Sequence, residues 1–124
     1  MRFMMLMIPK GYETAAPGTM PPAEAVAAMM KYNEALKDAG VLITLDGLHP
    51  PSMGARVSFP AGKPVVTDGP FAEAKEVLGG YALMAAKTRE EALKNARLFM
   101  ELHTKHWPEW EGECEVREVV FLAP

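Results

Sequence analysis

The chain has 124 residues, of which 49% are hydrophobic and 23% charged, and its formal net charge is −3. This length and composition predict one folded domain over residues 1–124. The negative charge and the scattered lysines and arginines exclude a general affinity for nucleic acid or an anionic membrane surface. No segment approaches the roughly 20 apolar residues of a membrane helix, and residues 1–8 are too short for a signal peptide. A cytoplasmic protein is therefore expected.

The first third of the chain predicts a strand, a loop and a helix. Residues 3–8 are apolar on both faces, which is typical of a central, buried strand. Residues 10–22 are rich in Gly and Pro and predict a loop. Residues 23–39 have the apolar spacing of a helix, which Gly40 ends. The predicted apolar stripe of this helix consists of Val26, Met29, Met30 and Leu36.

The middle of the chain predicts a strand and a small insertion. Residues 41–48 read as a strand, which ends at residues 49–51, His-Pro-Pro. Residues 55–59 and 64–67 have the pattern of two short strands, joined at residues 60–62. The insertion is then followed by Asp-Gly-Pro, a sequence that favours a sharp turn.

The last third predicts a strand, a helix and a strand. Residues 78–86 form the strand, and Thr88-Arg-Glu-Glu91 is a capping box that starts a second helix. That helix ends at Trp107-Pro108, and residues 113–122 alternate as a final strand. Cys114, the single cysteine, has no partner for an internal disulfide, and its place in this strand favours packing over catalysis.

Without the insertion, the order of elements is β-α-β-β-α-β. This order predicts a ferredoxin-like α+β fold with both helices on one face of an antiparallel sheet. The other face would lack cover within one chain. Because residues 3–8 are apolar on both faces, a second copy of the chain is expected to cover it, and a homodimer is predicted.

One segment resembles a known family. Residues 68–73, Asp-Gly-Pro-Phe-Ala-Glu, continue through Lys75-Glu76 to Leu78-Gly79-Gly80-Tyr81, and this pattern is similar to the DGPF-domain branch of the YCII-related family. The resemblance implies a dimeric α+β barrel, in which two ferredoxin-like sheets pack face to face. It also implies either a His–Asp acid/base pair in a pocket or an accessory role beside extracytoplasmic-function sigma factors.

Two carboxylates are candidates on this basis. Asp68 matches the acidic member of the family's pair, whereas Glu24 stands where the family has its histidine. Asp68 either caps its own turn or acts as a general acid or base whose pKa is raised by partial burial. Glu24 either is stabilised by the helix dipole in the first turn or shares a proton with Asp68.

Other candidates come from the residues alone. His49 lies in a loop that faces either a cavity or solvent, and Tyr81 can donate a hydroxyl from its strand. Arg117 either holds an anion or belongs to a cross-strand ion pair. His103 and His106 have the spacing of two metal ligands, although the helix C-terminus explains their position without a metal.

The sequence therefore predicts a cofactor-free acid/base enzyme that acts on a small organic molecule in a pocket between its helices and sheet and near Asp68, the principal catalytic group. Glu24, His49 and Tyr81 would assist. The alternative is a non-enzymatic module that binds a small ligand or a transcription-related protein partner through residues 71–76. Neither a phosphate-binding loop nor a zinc pattern occurs, so no cofactor or metal is expected.

Overall fold

The protein was analysed as a computed structural model, which describes residues 1–71 and 76–120. The described residues form a four-stranded sheet, a separate two-stranded hairpin, two α-helices and three single-turn 3-10 helices in the connections. The strands are β1 (Arg2–Pro9), β2 (Leu42–Gly47), β3 (Ala55–Ser58), β4 (Val65–Asp68), β5 (Gly80–Ala85) and β6 (Gly112–Glu118), and the helices are α1 (Ala23–Asp38) and α2 (Arg89–His106).

The strand order in the main sheet is β2-β5-β1-β6, and every neighbouring pair is antiparallel. Strands β3 and β4 pair only with each other and form the insertion. This topology confirms the predicted ferredoxin-like α+β fold. The predicted final strand ends earlier than expected, at Glu118, and residues 121–122 of that prediction lie outside the described part of the chain.

The helix boundaries follow the predicted signals. Helix α1 begins after Pro22, and Gly40 follows its end with a φ of 76°, a conformation that glycine adopts at little cost. At the start of α2, the Thr88 hydroxyl accepts a hydrogen bond from the Glu91 N–H at 3.1 Å. The Glu91 carboxylate in turn accepts from the Lys87 N–H, so the capping box is formed with one residue of offset.

Both helices pack on one face of the sheet, which we call the inner face. Phe3 and Met5 of β1 and Met84 of β5 point towards them because alternate residues of a strand share a face. The remaining buried members of this core are Met29, Leu42, Ala82, Ala86, Ala92, Ala96 and Phe99. Cys114 also packs against the core, as predicted, and burial raises the pKa of its thiol to about 11.

One predicted core residue is wrong. Met30 is 65% exposed, whereas Ala25 and Met29 are the buried residues of α1. Successive helical residues are rotated by roughly 100°, so Met29 and Met30 cannot both point to the sheet. The true stripe follows the four-residue spacing of Ala25 and Met29.

Neither helix of the described chain is long and apolar enough to cross a membrane.

The opposite face of the sheet, which we call the outer face, carries apolar residues at its centre. Met4, Leu6 and Ile8 of β1 and Leu83 of β5 are only partly buried there. Their neighbours on β6 are charged, since Arg117 lies opposite Met4 and Glu115 opposite Leu6. The first strand is therefore apolar on both faces, as predicted, but only its inner face packs against the helices.

Candidate functional site

A cavity of about 680 Å³ lies between the inner face of the sheet and the two helices. Met5 and Met7 of β1 form its floor, and Met29 of α1 and Phe99 of α2 form its walls. This volume is within the range of sites that enclose a small organic molecule, and such sites are mostly apolar with a few polar groups. The position and character of the cavity make it the candidate functional site.

The loop that precedes α1 closes one side of the cavity. Tyr12, which borders the cavity, donates a hydrogen bond from its hydroxyl to the carbonyl of Leu48, and burial raises the pKa of this tyrosine. Ser52 donates to the carbonyl of Ala15 at 3.0 Å, farther along the loop. These contacts hold residues 10–22 against the turn that follows β2.

His103 is a polar residue in the lining of this mostly apolar cavity. It lies on α2 among three aromatic rings, those of Phe99, Trp107 and Trp110, with the Trp110 ring edge-on at a centroid distance of 4.6 Å. Both ring nitrogens are buried and have no hydrogen-bond partner among the described residues. Burial lowers the pKa of His103, because the charged form loses its hydration. The imidazole is therefore neutral at physiological pH and can accept a proton.

Asn33 is a second polar residue that borders the cavity. Its Oδ1 atom is buried and has no partner within the described chain. On α1, Asn33 lies four residues after the buried Met29, which itself lies four residues after the buried Ala25. On α2, His103 lies four residues after the buried Phe99. Residues four apart share a helix face, so both polar side chains lie on the same face as the buried apolar residues of their helix. Buried polar atoms without partners are uncommon, and a ligand would satisfy them.

Charged residues lie only at the border of the cavity. Lys10 forms an exposed ion pair with Glu111 at 3.2 Å, and Asp46 and Glu109 also border the cavity. Among the described residues that border the cavity, Lys10 is the single lysine or arginine. The interior therefore offers a bound molecule no unpaired cation.

Of the four predicted site residues, the structure brings His49 and Tyr81 to the border of the cavity and leaves Glu24 and Asp68 away from it. His49 borders the cavity and also a smaller depression of about 400 Å³ beside it. Tyr81 lies on β5 at the cavity border, but its hydroxyl donates to Asp46 at 3.1 Å on the outer face. Glu24 and Asp68 are exposed and are not among the described residues that border either space. This cavity thus lies between the helices and the sheet, where a pocket was expected, but Asp68 does not border it.

The Asp68-Gly69-Pro70 segment has a clear structural role. Asp68 pairs with Ala55 as the last residue of β4, and the Gly69 N–H donates to the carbonyl of Gly54 at 2.9 Å. A Cβ atom on Gly69 would lie 1.7 Å from the carbonyl oxygen of Pro51, so only glycine fits there. The turn therefore holds the end of β4 against the segment that follows β2. Residues 72–75 of the predicted contact surface lie outside the described residues.

The remaining candidates have local explanations. Arg117 forms a surface ion pair at 3.8 Å with Glu115 of its own strand, rather than the predicted cross-strand pair. His106 is exposed, whereas His103, with which it has the spacing of two metal ligands, is enclosed by aromatic rings. Within residues 1–71 and 76–120, no group of three or more His, Cys, Asp and Glu residues is placed to hold a metal ion.

From the sequence, His103 was considered only as a metal ligand together with His106, and Asn33 was not selected as a site residue. The available signal was a polar residue on an apolar stripe, since His103 follows Ala92, Ala96 and Phe99 on the buried side of α2. Such a residue needs a partner when it is buried. The spacing alone did not reveal that no partner would come from the protein.

Comparison with known proteins places the chain in a family. A model of the YCII-related domain matches residues 1–120. An uncharacterized protein of Rhizobium meliloti (strain 1021) is 41% identical over 98 residues, which cover 79% of this chain and 72% of that protein. The family model extends over the sheet, both helices and the hairpin. The chain therefore belongs to the YCII-related family.

Proposed function

We propose that the protein binds a small organic molecule in the cavity between helices and sheet and catalyses cofactor-free proton transfer on it, with His103 as the base. The supporting observation is a neutral, buried imidazole whose two nitrogens have no partner among the described residues, in an otherwise apolar cavity. Burial keeps the imidazole in its neutral form, which is the form that accepts a proton, and shields it from water. His103 takes the place that the sequence assigned to Asp68.

The proposed chemistry needs no co-reactant. A C–H bond beside a carbonyl breaks, its electron pair forms the enolate, and the proton moves to a His103 nitrogen. The proton then returns to the molecule at the same or another atom, so that atoms and electrons balance. The Asn33 side chain borders the same space and can hold the carbonyl oxygen through its amide group.

The experiment measures exchange of hydrogen for deuterium in D₂O, using a panel of aromatic and alicyclic enolisable ketones followed by NMR. We expect the wild-type protein to accelerate exchange of at least one ketone above the buffer rate. His103→Gln should reduce the acceleration by about 10²-fold or more, the typical contribution of a general base. His106→Gln, an exposed change on the same helix, is the matched control and should leave it unchanged.

Two outcomes would reject this function for His103. One is full exchange by the His103→Gln protein, and the other is loss of exchange in Asp68→Asn with retention in His103→Gln. Failure of the wild-type protein to accelerate exchange of any ketone would reject proton transfer on ketones altogether.

We also infer that the chain forms a homodimer through the outer face of its sheet. The support is the group of partly buried apolar residues there, Met4, Leu6, Ile8 and Leu83, while both helices pack on the opposite face. Together with the family membership and the Asp68-Gly69-Pro70-Phe71 sequence, this favours the DGPF branch and its dimeric barrel. Leu83→Glu should yield monomers in sedimentation analysis, whereas Leu93→Glu, on the exposed side of α2, should not. A monomeric wild-type protein would contradict the inference.

A further inference from the structure

The side chains around His103 restrict the chemical class of the molecule that the cavity accepts. Five of the ten methionines of the chain border the cavity, and so do both of its tryptophans, Trp107 and Trp110. The five methionines are Met5, Met7, Met20, Met29 and Met30. Thioether sulfur makes favourable contacts with aromatic rings, which aliphatic ligands cannot reproduce. A cavity of this lining therefore favours an aromatic ligand over an aliphatic one of the same size.

The charges at the border argue against an anionic ligand. Asp46, Glu109 and Glu111 contribute three carboxylates, and Lys10 is already paired with Glu111. A carboxylate or phosphate inside the cavity would lose its hydration without gaining a cation, which is costly. His103 does not supply the charge, since burial favours its neutral form. The ligand is therefore expected to be neutral.

The polar atoms inside the cavity define the remaining group. A neutral imidazole has one nitrogen that donates a hydrogen bond and one that accepts, and the side chain of Asn33 can do both. Both side chains border the cavity, whose lining is otherwise mostly apolar, so they suit a molecule that carries a polar group on an apolar body. An enolisable carbonyl accepts a hydrogen bond as a ketone and donates one as an enol, which matches such a pair.

Resting on the proposed function, we propose that the substrate is a neutral aromatic ketone of one or two fused rings, whose ring packs against the methionine and tryptophan side chains while its carbonyl end faces His103 and Asn33. The volume of about 680 Å³ accommodates a molecule of this size. Substrate selection would then reside in the thioether and indole groups, and proton transfer in the imidazole.

The test compares three probes of similar shape: β-tetralone, which is an aromatic ketone, β-decalone, its saturated counterpart, and naphthylacetate, an aromatic anion. Binding is followed through the indole N–H resonances of Trp107 and Trp110, the chain's two tryptophans, both at the cavity border. We expect β-tetralone to bind about five-fold or more tighter than either other probe, the scale of a few sulfur–aromatic contacts.

The double variant Met7→Leu, Met29→Leu separates the sulfur contribution from simple burial. Leucine preserves size and apolarity, so the fold should persist and binding of β-decalone should change little. Affinity for β-tetralone should fall towards that of β-decalone. Leu98→Met, which adds a sulfur at an exposed position on α2, is the control and should leave the affinity for both probes unchanged.

The outcomes distinguish the ligand class from the function itself. Equal binding of β-tetralone and β-decalone, or tighter binding of naphthylacetate, would overturn the aromatic ketone while leaving the cavity as a binding site. So would His103-dependent exchange of other ketones with no binding of β-tetralone. Tight binding of β-tetralone together with a sulfur-dependent preference supports the inference, whatever the exchange rate.

Discussion

The two faces of the sheet contain similar apolar residues but have opposite polar chemistry. On the inner face, the polar atoms of His103 and Asn33 are buried and have no partner within the described chain. On the outer face, Tyr81 donates to Asp46 and Arg117 pairs with Glu115, all at exposed or half-exposed positions. Unpaired polar groups that the fold encloses support the proposed ligand site, whereas satisfied polar groups around partly exposed apolar residues support the proposed dimer surface.

The largest effect expected from this difference is on stability. Met84 of β5 is 1% exposed on the inner face, and Leu83 beside it lies partly exposed on the outer face. Met84→Ala should lower the free energy of unfolding by about 2–5 kcal/mol, because it leaves a cavity in the core. Leu83→Ala should cost less than about 1 kcal/mol at concentrations where the protein is monomeric.

Denaturant unfolding of both variants in dilute solution measures this comparison. The two positions are adjacent in sequence and occur in the same strand, so each serves as the control for the other. Equal losses would mean that the outer face is as tightly packed as the inner one, and the contrast between the faces would be lost.

A second, smaller effect concerns His103. His103→Phe replaces unpaired polar atoms by an apolar ring and should raise the free energy of unfolding by about 1–3 kcal/mol at neutral pH, while proton transfer is lost. His106→Phe, at an exposed position, should change it by less than about 0.5 kcal/mol. If His103→Phe were destabilising, the imidazole would have a hydrogen-bond partner in solution, and its nitrogens would not be free to bind a ligand.

The pH dependence of stability sharpens the same point. The pKa of His103 is lowered from 6.5 by burial, so the unfolded chain takes up a proton near pH 6.5 that the folded chain does not. Stability from this group is complete above that pH and declines as the pH falls towards the folded-state pKa. Melting temperatures measured from about pH 7.5 down to about pH 5 should therefore decrease more steeply for wild type than for His103→Phe. Parallel curves would contradict this assignment.

The smallest effect is expected on the outer face. The hydrogen bond to Asp46, and then the negative charge of that carboxylate, raise the pKa of Tyr81 from its ordinary value of 10.0. Asp46→Asn should lower the pKa of Tyr81 towards that value with little change in stability, since the pair is exposed. Ultraviolet titration of the tyrosinate band in wild type, Asp46→Asn and a Tyr81→Phe reference measures the shift. An unchanged titration would show that the pair does not form in solution.

The fold was predictable from the sequence because its signals are local. The two-residue alternation of the strands, the Thr88–Glu91 capping box and Gly40 at the end of α1 each act within a few residues. The site was predictable only in part. Whether His103 finds a partner depends on which side chains of α1, α2 and residues 107–110 meet in space, and no local pattern encodes that. Asp68 was favoured as a catalytic group because a turn can present a carboxylate, yet here it ends an exposed hairpin strand.

The close contact between Gly69 and Pro51 also has a consequence for altering the protein. It joins the two ends of the hairpin segment at a fixed point, where the Gly69 N–H meets the Gly54 carbonyl. Residues 55–68 therefore form a hairpin whose first and last residues lie close together, and its strands β3 and β4 pair only with each other. Exposed loop tips of this kind tolerate insertions. Residues 60–62 are thus a natural location for a tag, a fluorophore or a grafted binding sequence.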